Sequence, residues 1–188
     1  VLLHGSGGSE TSRMPLAHRA APGATLLGVR GRSTEGGIAR WFRRFPDFSF
    51  DQKDIAAEAE AFAAFIEGAI QSYGLDPARV RYIGHSNGAN FYSAFAALHP
   101  QLAGDALLYR PIPVLDAWPD ADLSGKNLLI VAGERDKYRE KSTDLQRQLA
   151  ATGAQAGLEQ VEDGHDLGLA DIEAARRWLV TERPAALA

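Results

Sequence analysis

Six short runs of nearly continuous apolar residues punctuate this chain, and segments of helical periodicity lie between them. The runs are VLLH (1–4), ATLLGV (24–29), VRYIG (80–84), DALLYR (105–110), NLLIVAG (127–133) and the less apolar GLEQVE (157–162). Runs of this length without polar alternation suit strands buried on both faces, as in a parallel sheet. Parallel neighbours need a long crossover, and the intervening segments supply helices for it. From Asp51 to Tyr73, apolar residues recur at Ile55, Phe62, Phe65, Ile66, Ala69, Ile70 and Tyr73, with Gly74 as the stop signal. A second helix is expected from Asn87 to Leu98, ended by Pro100. A third carries Tyr138, Leu145 and Leu149 and stops at Gly153. The last carries Leu169, Ile172, Ala175 and Leu179, with Pro184 beyond it. Strands alternating with helices predict right-handed βαβ units and an α/β architecture: a mostly parallel central sheet with helices on both faces. The 188 residues suit a single domain over 1–188. The longest irregular stretch, Arg30 to Ser49, is of a length that in a compact domain is usually functional or disordered.

The third run leads into GHSNG, residues 84–88, which fits G-x-S-x-G. About 0.1 matches are expected by chance at this composition, so the pattern alone is only suggestive. Its setting matters more, because a strand is predicted before it and a helix after it. A serine on so sharp a turn has its hydroxyl exposed above the sheet. Neighbouring backbone then passes close by, so the positions two before and two after must be small, as Gly84 and Gly88 are. The helix beginning near Asn87 also aims its first N–H groups at the place where negative charge would develop. The alternative is a glycine-rich turn with an idle serine.

A serine hydroxyl needs a base, and the base needs an orienting acid. On a sheet of this kind the chain order is Ser, then Asp or Glu, then His. Of the histidines 4, 18, 85, 99 and 165, only His165 lies downstream in a loop, within EDGHDLG. His99 sits at a helix end before Pro100, His18 lies in a predicted helix, and His4 comes too early but could shape the site. The strand NLLIVAG delivers Glu134 and Asp136. Asp136 is preferred because Glu134 follows the turn glycine immediately; Glu134 and Asp116 remain alternatives. Two backbone N–H donors would hold an oxyanion: Asn87, after the serine, and Ser6 in the glycine-rich loop LHGSGG. That loop lacks the GK[ST] of a nucleotide-binding loop.

The segments LHGSGG, RGR…GG…WFRRF, DPARVRYIGHSNGAN, LLYRPIPV, LLIVAGERD and GHDLGLADIEAARRWL together resemble the α/β-hydrolase superfamily. More closely, they resemble its small phospholipase/carboxylesterase (serine esterase) family. The resemblance covers nearly the whole chain, in the family's order. It implies an α/β-hydrolase fold without a large cap domain, whose first strands would precede Val1. It implies hydrolysis of carboxylic esters of small or short-acyl substrates through an acyl-enzyme. Ser86 would be the nucleophile, Asp136 the acid, His165 the base, and Ser6 and Asn87 the oxyanion donors. A thioesterase or lysophospholipase with the same residues, and a silent ligand-binding module, are the competing readings. The charged RDKYREK after the acid departs from the family, which often has apolar and proline residues there.

No cofactor or metal is expected, and no HExxH or paired-histidine set occurs. The absence of cysteine excludes disulfides and thiolate chemistry. A net charge of −4 gives no reason to expect nucleic acid. No apolar stretch approaches a membrane span. A small-molecule ester is therefore the expected partner, with homodimer formation open. A cytoplasmic location is expected, with an upstream targeting segment also open. Trp41, Phe42 and Phe45 beside Arg43 and Arg44 suggest an apolar pocket with a cationic rim, with Trp41, Phe42 and Arg110 as its candidate lining. The alternative is that the aromatics anchor the loop to the core and the arginines of the loop are solvated, with a surface or structural role for Arg110.

Overall fold

A computed structural model describes residues 1–181. Six parallel strands form the central sheet: β1 (Leu2–Leu3), β2 (Gly28–Val29), β5 (Tyr82–His85), β6 (Ala106–Tyr109), β7 (Asn127–Gly133) and β8 (Gln155–Val161), in the order β2-β1-β5-β6-β7-β8. A separate antiparallel hairpin pairs β3 (Ser33–Glu35) with β4 (Ile38–Arg40). The helices are α1 (Met14–Ala20), α2 (Gln52–Tyr73), α3 (Asn87–Leu98), α4 (Arg139–Ala151) and α5 (Leu169–Thr181). The expected Pro184 lies outside the described residues. None of these helices is long and apolar enough to cross a membrane.

Strand periodicity divides the core into two layers. Tyr82, Ala106, Leu108, Leu128 and Ile130 face α2, α3 and α4. Ile83, Leu107, Tyr109 and Val131 face α1 and α5. Every residue from Asn87 to Ala97 is buried, because α3 is packed both under the sheet and against α2. Small side chains at Ala89, Ala94, Ala96 and Ala97 make room for that double contact. On α2, Asp51 caps the start by accepting from the N–H groups of Lys53 and Asp54. The buried stripe runs through Ile55, Ala59, Phe62, Ala63, Ile66 and Ala69. Phe65 and Tyr73, expected on that stripe, are exposed instead. Phe62 keeps a central place among the alanines where α2 meets α3, whereas Phe65 and Tyr73 lie at the margin of the stripe.

Two further expectations change. The run at 24–29 contributes only Gly28–Val29 to the sheet, because β2 is an edge strand among the described residues and pairs on one side. The stretch 30–49 is not wholly irregular, since it contains the β3–β4 hairpin. Gly36 and Gly37 form its turn with φ of 56° and 80°, the left-handed pair that a tight two-residue hairpin requires.

Phe95 is central to the α2–α3 layer. It is fully buried and meets Phe62 edge-on at 4.9 Å, with Tyr82, Tyr92 and His99 around it. Phe95→Ala should therefore lower unfolding free energy by roughly 3–5 kcal/mol in urea titration, and Phe95→Leu by clearly less. Equal losses for the two variants would mean that the void is not what costs stability.

Candidate active site

The chain reverses sharply between β5 and α3. Ser86 sits at φ 50° and ψ −119°, a conformation sparsely used by residues other than glycine. Two hydrogen bonds hold it there: its N–H donates to Tyr109 O at 2.8 Å, and its carbonyl accepts from Asn90 N–H at 2.8 Å. The flanking glycines are steric necessities. A methyl group on Gly88 would lie 2.5 Å from His4 O, and one on Gly84 would lie 2.7 Å from Ala89 Cα. In both cases the obstacle is backbone.

Above this turn, three side chains form one hydrogen-bonded row. His165 Nε2 lies 2.9 Å from Ser86 Oγ, and His165 Nδ1 lies 2.8 Å from Asp136 Oδ2. With Nδ1–H donating to the carboxylate, Nε2 is left as an acceptor for the serine hydroxyl. The Asp136 side chain is 1% exposed and that of His165 is 39% exposed, so the row runs from the interior to solvent. Asp136 is fixed from below, where its Oδ1 accepts from Tyr138 N–H at 3.0 Å. The ring of Tyr138 stands edge-on to His165. The alternative acids Glu134 and Asp116 are both exposed and make no bond to His165.

The loop carrying His165 is anchored by residues that sequence reasoning placed elsewhere or passed over. Arg110, a candidate pocket residue by sequence, takes the alternative, structural role. Its side chain is wholly buried, and the guanidinium is bidentate to Asp171, at 2.8 and 3.0 Å. Its Nε–H donates to Gly164 O at 2.7 Å, directly beside His165. A fully desolvated pair of this kind orients the start of α5 and the preceding loop, whatever its net contribution to stability. Phe42 is likewise not a pocket residue: it is fully buried against Phe50 and Phe91. Trp41 borders a cavity of about 340 Å³, but the remaining lining belongs to β2, α2 and their neighbours, including Val29, Phe62 and Phe65, and not to Ser86. The expected cationic rim is paired off. Arg43 bonds Asp51, and Arg44 bonds Glu35.

His85, unassigned by sequence, donates from Nε2 to His165 O at 3.1 Å. Burial pushes its pKa down to about 4, so the ring is neutral. His4 is also buried, and burial likewise lowers its pKa. Its Nδ1–H donates to Gly5 O at 2.7 Å, and its Nε2 accepts from Gly31 N–H at 3.0 Å. Gly5 O accepts a second bond, from Gly8 N–H at 3.0 Å. Because C=O and N–H point opposite ways across a trans peptide, pinning Gly5 O fixes the direction of Ser6 N–H. Neither Ser6 N–H nor Asn87 N–H has a hydrogen-bond partner among the described residues. For Asn87 this follows from its place in the first turn of α3.

No family model matches the chain. It is 33% identical over 180 residues to MhqD of Bacillus subtilis, a protein named as a hydrolase, covering 95% of this chain and 90% of the relative. Among solved structures, a carboxylesterase from Mesorhizobium loti is 43% identical with a TM-score of 0.92, covering 95% of this chain and 86% of that one. A carboxylesterase from Bacillus cereus is 31% identical with a TM-score of 0.90, over 96% and 86% of the two chains.

The depressed pKa of His85 has a measurable sign. The unfolded chain takes up a proton on this residue as pH falls below about 6.5, whereas the folded chain does so only near 4. Stability should therefore decline as pH falls through that window. His85→Gln, which keeps an N–H donor and cannot titrate, should flatten the decline by up to one proton's worth of slope. Urea unfolding at stepped pH measures it, and an unchanged slope would show that His85 is charged in the fold.

Proposed function

The chain belongs to the carboxylesterase family of the α/β-hydrolases, a hydrolase of the esterase class, and on that premise we propose that it is a serine esterase acting on small or short-acyl esters through an acyl-enzyme. The observation that carries the proposal is the unbroken row from Asp136 through His165 to Ser86. Ser86 Oγ attacks the ester carbonyl carbon as His165 Nε2 takes its proton, and the buried carboxylate of Asp136 stabilises the imidazolium. The carbonyl oxygen becomes an oxyanion and is met by the N–H groups of Ser6 and Asn87. The C–O bond to the alcohol then breaks, and the alcohol leaves with the proton held by His165. Water, deprotonated by the same nitrogen, attacks the acyl-enzyme. The serine oxygen recovers its proton and the carboxylic acid departs.

Water and alcohol can reach the row because His165 is partly exposed at the surface and, among the described residues, no large cap covers it. That openness supports small substrates rather than long acyl chains, which need a long apolar channel.

Ser86→Ala should reduce p-nitrophenyl acetate turnover by at least roughly 10⁴-fold with the fold unchanged by circular dichroism. A fluorophosphonate should label Ser86 in the parent protein and nothing in the variant. Full turnover by the alanine variant would remove the assignment. On a series of p-nitrophenyl esters, kcat/KM should fall from acetate and butyrate to palmitate. A maximum at the long chain would refute the short-acyl reading.

A further inference from the structure

The two proposed oxyanion donors sit on different arms of the fold. Ser6 lies in the loop after β1, and Asn87 opens α3. Three consecutive residues, Ala39 to Trp41, are bonded to both arms. Ala39 O accepts from Gly7 N–H at 2.8 Å. Arg40 Nη1–H donates to Ser6 Oγ at 2.7 Å. The indole N–H of Trp41 donates to His4 O at 2.9 Å, and its backbone N–H donates to Asn87 Oδ1 at 2.8 Å.

We infer that Ala39–Trp41 is a staple that sets the spacing between the Ser6 and Asn87 N–H groups, with Trp41 as its principal positioning residue. The inference rests on the serine-esterase reading above. Trp41 suits this task for three reasons. It touches both arms, through one backbone and one side-chain donor. It is 3% exposed, so both bonds are shielded from competing water. Its ring cannot swing, being stacked on Phe91 at 5.0 Å and 18°, abutted edge-on by Phe62 at 5.8 Å, and set against the His4 ring at 5.3 Å. The loop bonds bracket Ser6 from both sides, at His4 and at Gly7. Arg40, whose guanidinium also lies 2.9 Å from Glu35, connects the loop to the hairpin through Ser6 itself. The staple has no contact with the reacting atoms and acts on them through the two donors.

An oxyanion hole works only if its donors are preorganised at the oxyanion's position, and misplacement by about 1 Å can cost on the order of 100-fold. Trp41→Phe keeps an aromatic ring and deletes the indole donor. Asn87→Ala deletes the other acceptor while keeping the Asn87 backbone N–H. Each should lower kcat for p-nitrophenyl acetate by roughly 10–100-fold with KM changed by less than about twofold. Affinity for a trifluoromethyl ketone, whose adduct with Ser86 carries the oxyanion, should fall in proportion. The double variant should be no worse than the worse single one, because a staple cut at either end is already open.

Ser6→Ala guards against a folding failure at Trp41. Ser6 is exposed, and the change removes only the acceptor for Arg40. It should lower kcat by roughly 3–10-fold at constant KM. Unchanged kcat and inhibitor affinity in both Trp41→Phe and Ser6→Ala would overturn the staple. So would additive losses in the double variant. If Ser86→Ala, run alongside, keeps full turnover, the serine-esterase reading fails instead of the staple.

Discussion

The first turn of α3 and the end of β1 approach so closely that not even a methyl group fits between them, and the rest of the site depends on that contact. Gly88 lies against the backbone of Leu3 and His4, so the loop after β1 is carried directly over the turn that holds Ser86. The carbonyl of Tyr109, at the end of β6, holds the same turn from the other side. In a parallel sheet all strands end on one edge, and the segments after β1, β5, β7 and β8 therefore converge there. They bring the Ser6 N–H, the Ser86 hydroxyl with the Asn87 N–H, the Asp136 carboxylate and the His165 imidazole to that edge.

Polar groups buried behind this edge keep the parts in place. The Arg110–Asp171 pair would be a costly arrangement if either charge stood alone. The pair is bidentate, and two further guanidinium N–H groups reach Gly164 O and Val131 O. It thereby ties β6, β7 and the loop before α5 into one unit. His4 and His85 perform a comparable task without charge. A neutral imidazole offers one donor and one acceptor in fixed directions, and burial selects that form. The donor of each ring goes to a carbonyl in a loop of the site, Gly5 O for His4 and His165 O for His85.

How far this was legible from the chain follows from the range of the forces involved. The bounds of β7 and α3 agree with their apolar runs, because both are mostly buried and end at glycine or before proline. The positions of Ser86, Asp136 and His165 could be read because each occupies a local setting: a turn between glycines, a strand end, a loop before a helix. Arg110 could not be read in the same way, since its partner Asp171 is 61 positions away and nothing local advertises the pairing. Trp41 and Phe42 were ambiguous for the same reason, as an aromatic residue reads alike whether it lines a pocket or fills a core. The β3–β4 hairpin did carry a signal, the Gly36-Gly37 pair between two three-residue strands, which a strand-by-strand search for longer apolar runs passes over.

The hydrogen-bonded row also joins segments that are distant along the polypeptide: Ser86 and His165 are 79 positions apart, and His165 and Asp136 are 29 apart. Closing such large loops costs chain entropy that only the finished core can offset. No half-assembled molecule, and no fragment containing the serine turn alone, can hold these three groups in register. On the proposed serine-esterase reading, a covalent titration of Ser86 therefore counts fully assembled molecules, which makes the chemistry of one hydroxyl a census of the entire fold.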